Sequence, residues 1–135
     1  MPNPKTPNPD KASSRQKQFK TAEKAGHLAE ARAVLWYRLR GFRILARRWQ
    51  SHVGEIDIIA RRGRLLVFCE VKFRQQDIHL ASPSPRQQKR ITRAASLFIA
   101  SSTHYQNCDY RFDVILIERK SYLFWHRLIA IINAW

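Results

Sequence analysis

The run Gly54-Glu55-Ile56-Asp57-Ile58-Ile59-Ala60, the basic break Arg61-Arg62-Gly63-Arg64 and the run Leu65-Leu66-Val67-Phe68-Cys69-Glu70-Val71-Lys72-Phe73-Arg74 decide the reading of this chain. Both runs are rich in the β-branched and aromatic residues that suit pleated backbone. Arg62–Gly63 is a natural tight turn between them, so together they predict a hairpin with strands over 55–61 and 65–73. On the two-residue period of a strand, Glu55, Asp57 and Ile59 share one face and Ile56, Ile58 and Ala60 the other. Phe68, Glu70 and Lys72 share a face opposite Val67, Cys69 and Val71. Acids and a lysine thus stand inside runs otherwise apolar on both sides. Charges are rarely buried unless paired or bound to a metal, which makes this the informative feature.

Working outward, Thr21 to Arg40 has helical periodicity and stops at Gly41. Gly26, Ala29, Ala33, Trp36 and Tyr37 gather on one side, with Glu30 at the edge of the stripe. The small residues at 26, 29 and 33 suit close approach to a sheet. Phe42–Trp49 reads as a strand and Gln75–Pro85 as a loop. Ser84 as N-cap and Pro85 at the first helical position open a helix over 86–102, whose apolar side carries Ile91, Ala94, Ala95 and Phe98. Tyr110–Glu118 is a further strand, and a last one lies within Tyr122–Ile131. The order α-β-β-β-α-β-β predicts an α/β domain, a mixed sheet of about five strands flanked by helices.

The 135 residues suffice for one domain with one core. Lys and Arg number 25 against 10 Asp and Glu, a formal charge of +15, with the excess heaviest in the first fifty residues. Self-repulsion on that scale makes nucleic acid the leading partner class. Residues 1–20 are proline- and lysine-rich with almost nothing apolar and read as a disordered basic arm, leaving 21–135 as a single domain. The arm has no apolar stretch typical of a secretory signal, and no segment approaches the ~18–20 apolar residues of a spanning helix. The expectation is a cytoplasmic protein without membrane association. Cys69 and Cys108 lack Cys-x-x-Cys spacing and read as core thiols, and the histidines at 27, 52, 79, 104 and 126 show no ligand spacing.

If the hairpin brings Asp57 and Glu70 together, their repulsion drives each toward protonation, and a divalent cation removes the conflict. Hard oxygen ligands suit Mg2+ or Mn2+. Asp57, twelve residues and then Glu70-Val71-Lys72 supply the parts that phosphodiester hydrolysis needs. Asp57 and Glu70 would hold the ion with the Val71 carbonyl as a third ligand. Lys72 would orient or deprotonate the water, or stabilise the pentacovalent charge. Glu30 completes the site if the first helix packs across this face. From the triplet alone, a structural ion pair of Lys72 with Asp57 or Glu70 is the better account; the hairpin context, the apolar flanks and the net charge shift the balance toward chemistry. Glu55, at a strand start, reads as a turn or salt-bridge residue, and Asp113, mid-strand, as a structural acid. Arg47, Arg48 and Arg74 near the strand turns and Lys89 and Arg93 on the later helix are the candidate phosphate contacts, with Arg61, Arg62, Arg64 and Arg90 nearby in sequence. No base-reading module is visible.

Gly26-x-x-x-Glu30, Gly54-Glu55-Ile56-Asp57, Val67 through Arg74 and Arg111-Phe112-Asp113-Val114 together resemble the YraN-like family of bacterial proteins. These are grouped with the restriction-endonuclease-like, PD-(D/E)xK, nucleases and are similar to archaeal Holliday-junction resolvases. The resemblance covers Ala25 to Trp135. It implies a restriction-endonuclease-like core, a site of Glu30, Asp57, Glu70 and Lys72, and a Mg2+- or Mn2+-dependent endonuclease that selects DNA by branched or junction structure rather than sequence. It also implies a bacterial cytoplasmic protein associated with the nucleoid and, by analogy, a homodimer. Cys69 stands where a branched aliphatic residue is usual, on the face away from Glu70. The alternative is a non-catalytic nucleic-acid-binding module on the same fold, which the +15 charge fits equally well.

Overall fold

Eight elements follow one another: helix α1 (Pro9–Arg38), strands β1 (Arg43–Ser51), β2 (Gly54–Arg62) and β3 (Leu65–Arg74), helix α2 (Pro85–Ala100), a single helical turn α3 (Thr103–Gln106), and strands β4 (Asp109–Arg119) and β5 (His126–Ile131). The structure is a computed structural model; it describes the backbone of residues 9–74, 82–119 and 126–135 and the side chains of 13–73, 82–119 and 127–135. Among the described residues the strands form one sheet in the order β1-β2-β3-β4-β5. β1–β2, β2–β3 and β4–β5 are antiparallel, and β3–β4 is parallel. The predicted mixed α/β architecture is therefore the observed one, and it is compatible with a restriction-endonuclease-like core.

Two apolar layers hold the helices on the sheet. α1 lays Ala29, Ala33, Val34 and Tyr37 on Ile58, Ala60, Val67, Cys69, Ile115 and Ile117. α2 lays Ile91, Ala94, Ala95 and Phe98 on Ile56, Ile59, Leu66, Phe68 and Phe112. The four apolar positions predicted for α2 are the four it buries. Its start is a reciprocal capping box: Ser84 accepts from the Gln87 N–H and the Gln87 side chain accepts from the Ser84 N–H, with proline at the first position. α1 ends where Gly41 takes a positive φ of 79° and the Phe42 N–H bonds back to the Tyr37 carbonyl.

Several boundaries differ from the sequence expectation. α1 begins at Pro9 rather than Thr21, so helical backbone enters the stretch read as a disordered arm. Proline is tolerated at a first helical position because its missing N–H would have no helical partner there, and the lysine-, alanine- and glutamine-rich run beyond it propagates helix without needing an apolar face. Residues 13–24 are exposed throughout, so the apolar stripe that signals a packed helix is missing from that length. The turn of the β2–β3 hairpin is Gly63–Arg64, since Arg62 pairs with Leu65 and Gly63 supplies the positive φ of 58°. Ile56 departs from strict alternation and packs beside Ile59 toward α2. β2 leaves β3 there, its described pairing ending at Ile58–Cys69, and the neighbouring β1 carries a left-handed residue, Arg48, with φ 47°. Residues 1–8, most of the expected Gln75–Pro85 loop, His79 and the side chains of Arg74 and His126 lie outside the described residues.

Asp113 is fully buried on β4 and is the structural acid expected of it. It accepts from the Tyr37 hydroxyl at 2.9 Å, from the Arg111 guanidinium at 3.0 and 3.1 Å and from the Asn133 N–H at 3.0 Å. Burial, followed by the neighbouring Cys69 and Asp113, pushes the Tyr37 hydroxyl far above its ordinary pKa, so it stays a donor. This one carboxylate ties α1, β4 and the segment after β5 together. Asp113→Ala leaves Arg111 and Tyr37 without their acceptor in the interior and is expected to cost about 3–5 kcal/mol in urea unfolding. Gly26 behaves oppositely: a Cβ there meets nothing within 4 Å, so it is not the close-approach residue the sequence suggests. Gly26→Ala is expected to stabilise by about 0.5–1 kcal/mol in the same assay.

Candidate active site

The site forms where two paired strands part. Beyond Ile58–Cys69, the Asp57 side chain takes over from backbone pairing, its Oδ2 accepting the Val71 N–H at 2.8 Å. The Ile58–Cys69 register sets Glu70 across from Asp57, close enough for the Asp57 charge to raise the Glu70 pKa. Burial raises the Asp57 pKa above the ordinary carboxylate value; the Val71 N–H opposes this, and the Glu30 and Glu55 charges add to it. Burial, then the Asp57 charge, pushes Glu70 up to about 7, against the pull of Lys72. Lys72 follows on the same face, and its Nζ lies 3.5 Å from Gln87 Oε1. Asp57, Glu70 and Lys72 thus lie near one another where the two strands part.

The first two turns of α2 form the opposite wall. A hollow of about 200 Å³ is lined by Glu55, Asp57, Glu70, Gln87, Arg90 and Ile91. Gly54 sets how closely the walls approach: a Cβ there would come within 3.2 Å of the Arg90 carbonyl oxygen. A second hollow continues from the first along the turn between β1 and β2, sharing Glu55 and Arg90 and including His52. Gln87 is the site residue that sequence reasoning passes over, whereas Arg90 is one of the three cations of this helix expected to contact phosphate. Gln87 had a signal, the Ser84-x-x-Gln87 spacing of a capping box, and Arg90 follows it by three residues onto the same side of the helix. Lys89 and Arg93, the other two cations of that group, are exposed on α2 and do not line the hollow.

Glu30 is nearly buried, 6% exposed, at the edge of α1's packed face. It does not stand free as a ligand. Its Oε1 accepts from Arg48 Nε at 2.8 Å, and Arg47 Nη2 lies 3.7 Å from Oε2. Among the described residues, no three His, Cys, Asp or Glu side chains converge closely enough to hold a metal ion. What the structure offers a cation is the Asp57–Glu70 pair: two oxygen-donor groups, partly buried and lining one hollow, with burial inclining Glu70 to keep its proton. A hard divalent cation fits that donor set, because it can replace the proton and relieve the repulsion. Val71 meets the pair through its N–H, which fixes Asp57.

Fold and site together define a mixed α/β domain whose sheet opens at a carboxylate pair beside a lysine. The chain belongs to the UPF0102 family, the family that the YraN-like resemblance anticipates: the model described as "Uncharacterised protein family UPF0102" matches residues 29–117, from the base of α1 to β4. A UPF0102 protein of Parvibaculum lavamentivorans is 43% identical over 115 residues, covering 84% of this chain and 83% of the relative. One of Azorhizobium caulinodans is 45% identical over 114 residues, covering 84% and 86%. No helix among the described residues is long and apolar enough to cross a membrane.

The proton on Glu70 makes a testable statement about stability. With a folded pKa of about 7 against an ordinary 4.5, the folded protein keeps a proton that the unfolded chain releases as pH rises between those values. Stability contributed by this group is therefore full below pH 4.5 and falls as pH approaches 7. Glu70→Gln removes the titration. Thermal melts from pH 4 to pH 8 should show the wild type losing ground to the variant across that window; parallel profiles would contradict the assignment.

Proposed function

We propose that the protein is a metal-dependent endonuclease that hydrolyses DNA phosphodiester bonds. The observation that carries this reading is the Asp57–Glu70 pair at the opening of the sheet, with Lys72 on the same face and a hollow beside it. A protein that merely binds nucleic acid has no use for acids that repel phosphate, least of all acids whose burial costs stability. Asp57 and Glu70 would hold Mg2+ or Mn2+, and the ion, when bound, lowers the pKa of a water and polarises the phosphate. The Val71 N–H keeps the Asp57 carboxylate in place. Lys72, steadied by Gln87, orients the attacking water and stabilises charge on the pentacovalent phosphorus. Water adds one oxygen to phosphorus as one ester P–O bond breaks, and the leaving oxygen takes up a proton. Arg90, which lines both hollows, would hold the phosphate next to the scissile one, and the +15 charge would draw the polyanion in. Selection of branched or junction DNA rests on the resemblance to junction resolvases.

The test is cleavage of labelled duplex, flap and four-way-junction DNA with Mg2+, Mn2+ or EDTA. Metal-dependent cutting is expected to disappear in Asp57→Ala and in Glu70→Ala while DNA binding persists. Cutting that survives both substitutions overturns the reading, and metal-independent binding without cutting on every substrate supports the binding module instead. Arg90→Ala is expected to weaken binding evenly across sequences and to lower the slope of log affinity against log salt by about 1.

A further inference from the structure

Arg48 is the one residue of the β1 strand held in left-handed backbone, at φ 47°. It falls between the pairs Arg47–Ile58 and Trp49–Ile56, which places it across from Asp57. Its side chain is 43% exposed, yet its Nε donates to a Glu30 carboxylate that is 7% exposed. The ion pair with Glu30 dominates the electrostatics of this guanidinium, and the Glu55 and Asp57 charges act on it from further off. Glu30 in turn acts electrostatically on Asp57. A cation that belongs to the protein is thus held by Glu30 on the strand position across from Asp57. Half-exposed arginine is also the side chain best suited to grip a phosphate, through paired N–H groups.

We propose that Arg48 is a positioning residue that exchanges its ion pair with Glu30 for a DNA phosphate, and that this exchange frees Glu30 to join Asp57 and Glu70 around the divalent cation. The inference rests on the nuclease reading and deepens it: substrate arrival completes the metal site, so the ion is held weakly until DNA is present. The left-handed backbone at Arg48 suits such a device, because strained residues persist where the surroundings hold them and mark segments with two arrangements. Arg47, at 3.7 Å from the second Glu30 oxygen and 48% exposed, is the weaker partner and leaves Glu30 able to move.

Two variant cycles test this without measuring activity. Calorimetry with Mn2+ and no DNA compares the wild type, Arg48→Asn, Glu30→Gln and the double variant; asparagine is chosen because it tolerates left-handed backbone, and Arg48→Gly serves if it does not fold. Arg48→Asn should bind Mn2+ about tenfold more tightly than the wild type, and Glu30→Gln should cancel that gain. In EDTA, fluorescence anisotropy with a labelled duplex should show Glu30→Gln binding DNA more tightly than the wild type, a gain cancelled by Arg48→Asn. A Mn2+ gain that persists without Glu30 is mere removal of positive charge and overturns the proposal, as do additive effects in either cycle. Absence of Mn2+ binding by every protein, with Glu70→Ala no different, brings down the nuclease reading itself. Mn2+ binding that needs Glu70 but ignores Arg48 brings down this inference alone.

Discussion

A parallel pair of strands cannot be closed by a tight turn, and β3 and β4 run parallel through ten paired positions, from Leu65–Asp109 to Arg74–Glu118. The chain between them must travel back along the sheet, and it does so with α2 on one face. α1 covers the other. Burial on both faces explains why Leu65–Cys69 is a nearly unbroken apolar run rather than an alternating one. It also explains why anything charged further along β3 must be accounted for. Asp113 on β4 shows one solution, a carboxylate wholly surrounded by Tyr37, Arg111 and a backbone N–H.

Glu70 shows the other solution. β3 keeps β4 along its whole length but loses β2 after Cys69, and at that fork the Val71 N–H needs an acceptor. Asp57 provides it, which fixes one carboxylate at the opening, with Glu70 lining the same hollow. Burial and the Asp57 charge raise the Glu70 pKa to about 7, and a proton kept there eases the repulsion between them. The cost in stability is thus located at a pair of facing carboxyl groups, an arrangement common at functional sites. Glu30 and Arg48 sit beside the fork, paired with each other rather than with the acids they influence.

Element types and most boundaries were legible in the sequence because they depend on local pattern. The period-two runs at 54–74, the capping residues Ser84 and Pro85 and the apolar positions of α2 each act over a few residues. The early start of α1 was not legible, since an exposed, charged helix has no apolar stripe to reveal it. Nor was the empty surround of Gly26, since sequence shows where a small residue is allowed and not whether anything approaches it.

The site divides along the same line. The sequence by itself determined that Asp57, Glu70 and Lys72 lie on one hairpin, because two strand-like runs and the short basic break between them are local signals. The tertiary structure alone decided what surrounds them. Gln87 and Arg90 join from a helix more than a dozen residues away because that helix must cross back over the sheet, and Gly54 lets it lie close. Glu30 reaches the site's edge because α1 packs the opposite layer, yet it is claimed by Arg47 and Arg48, whose approach depends on an irregular turn of β1 that no residue pattern announces. Local rules choose the acids; long-range packing chooses their partners, and the partners decide which acid is ready to act.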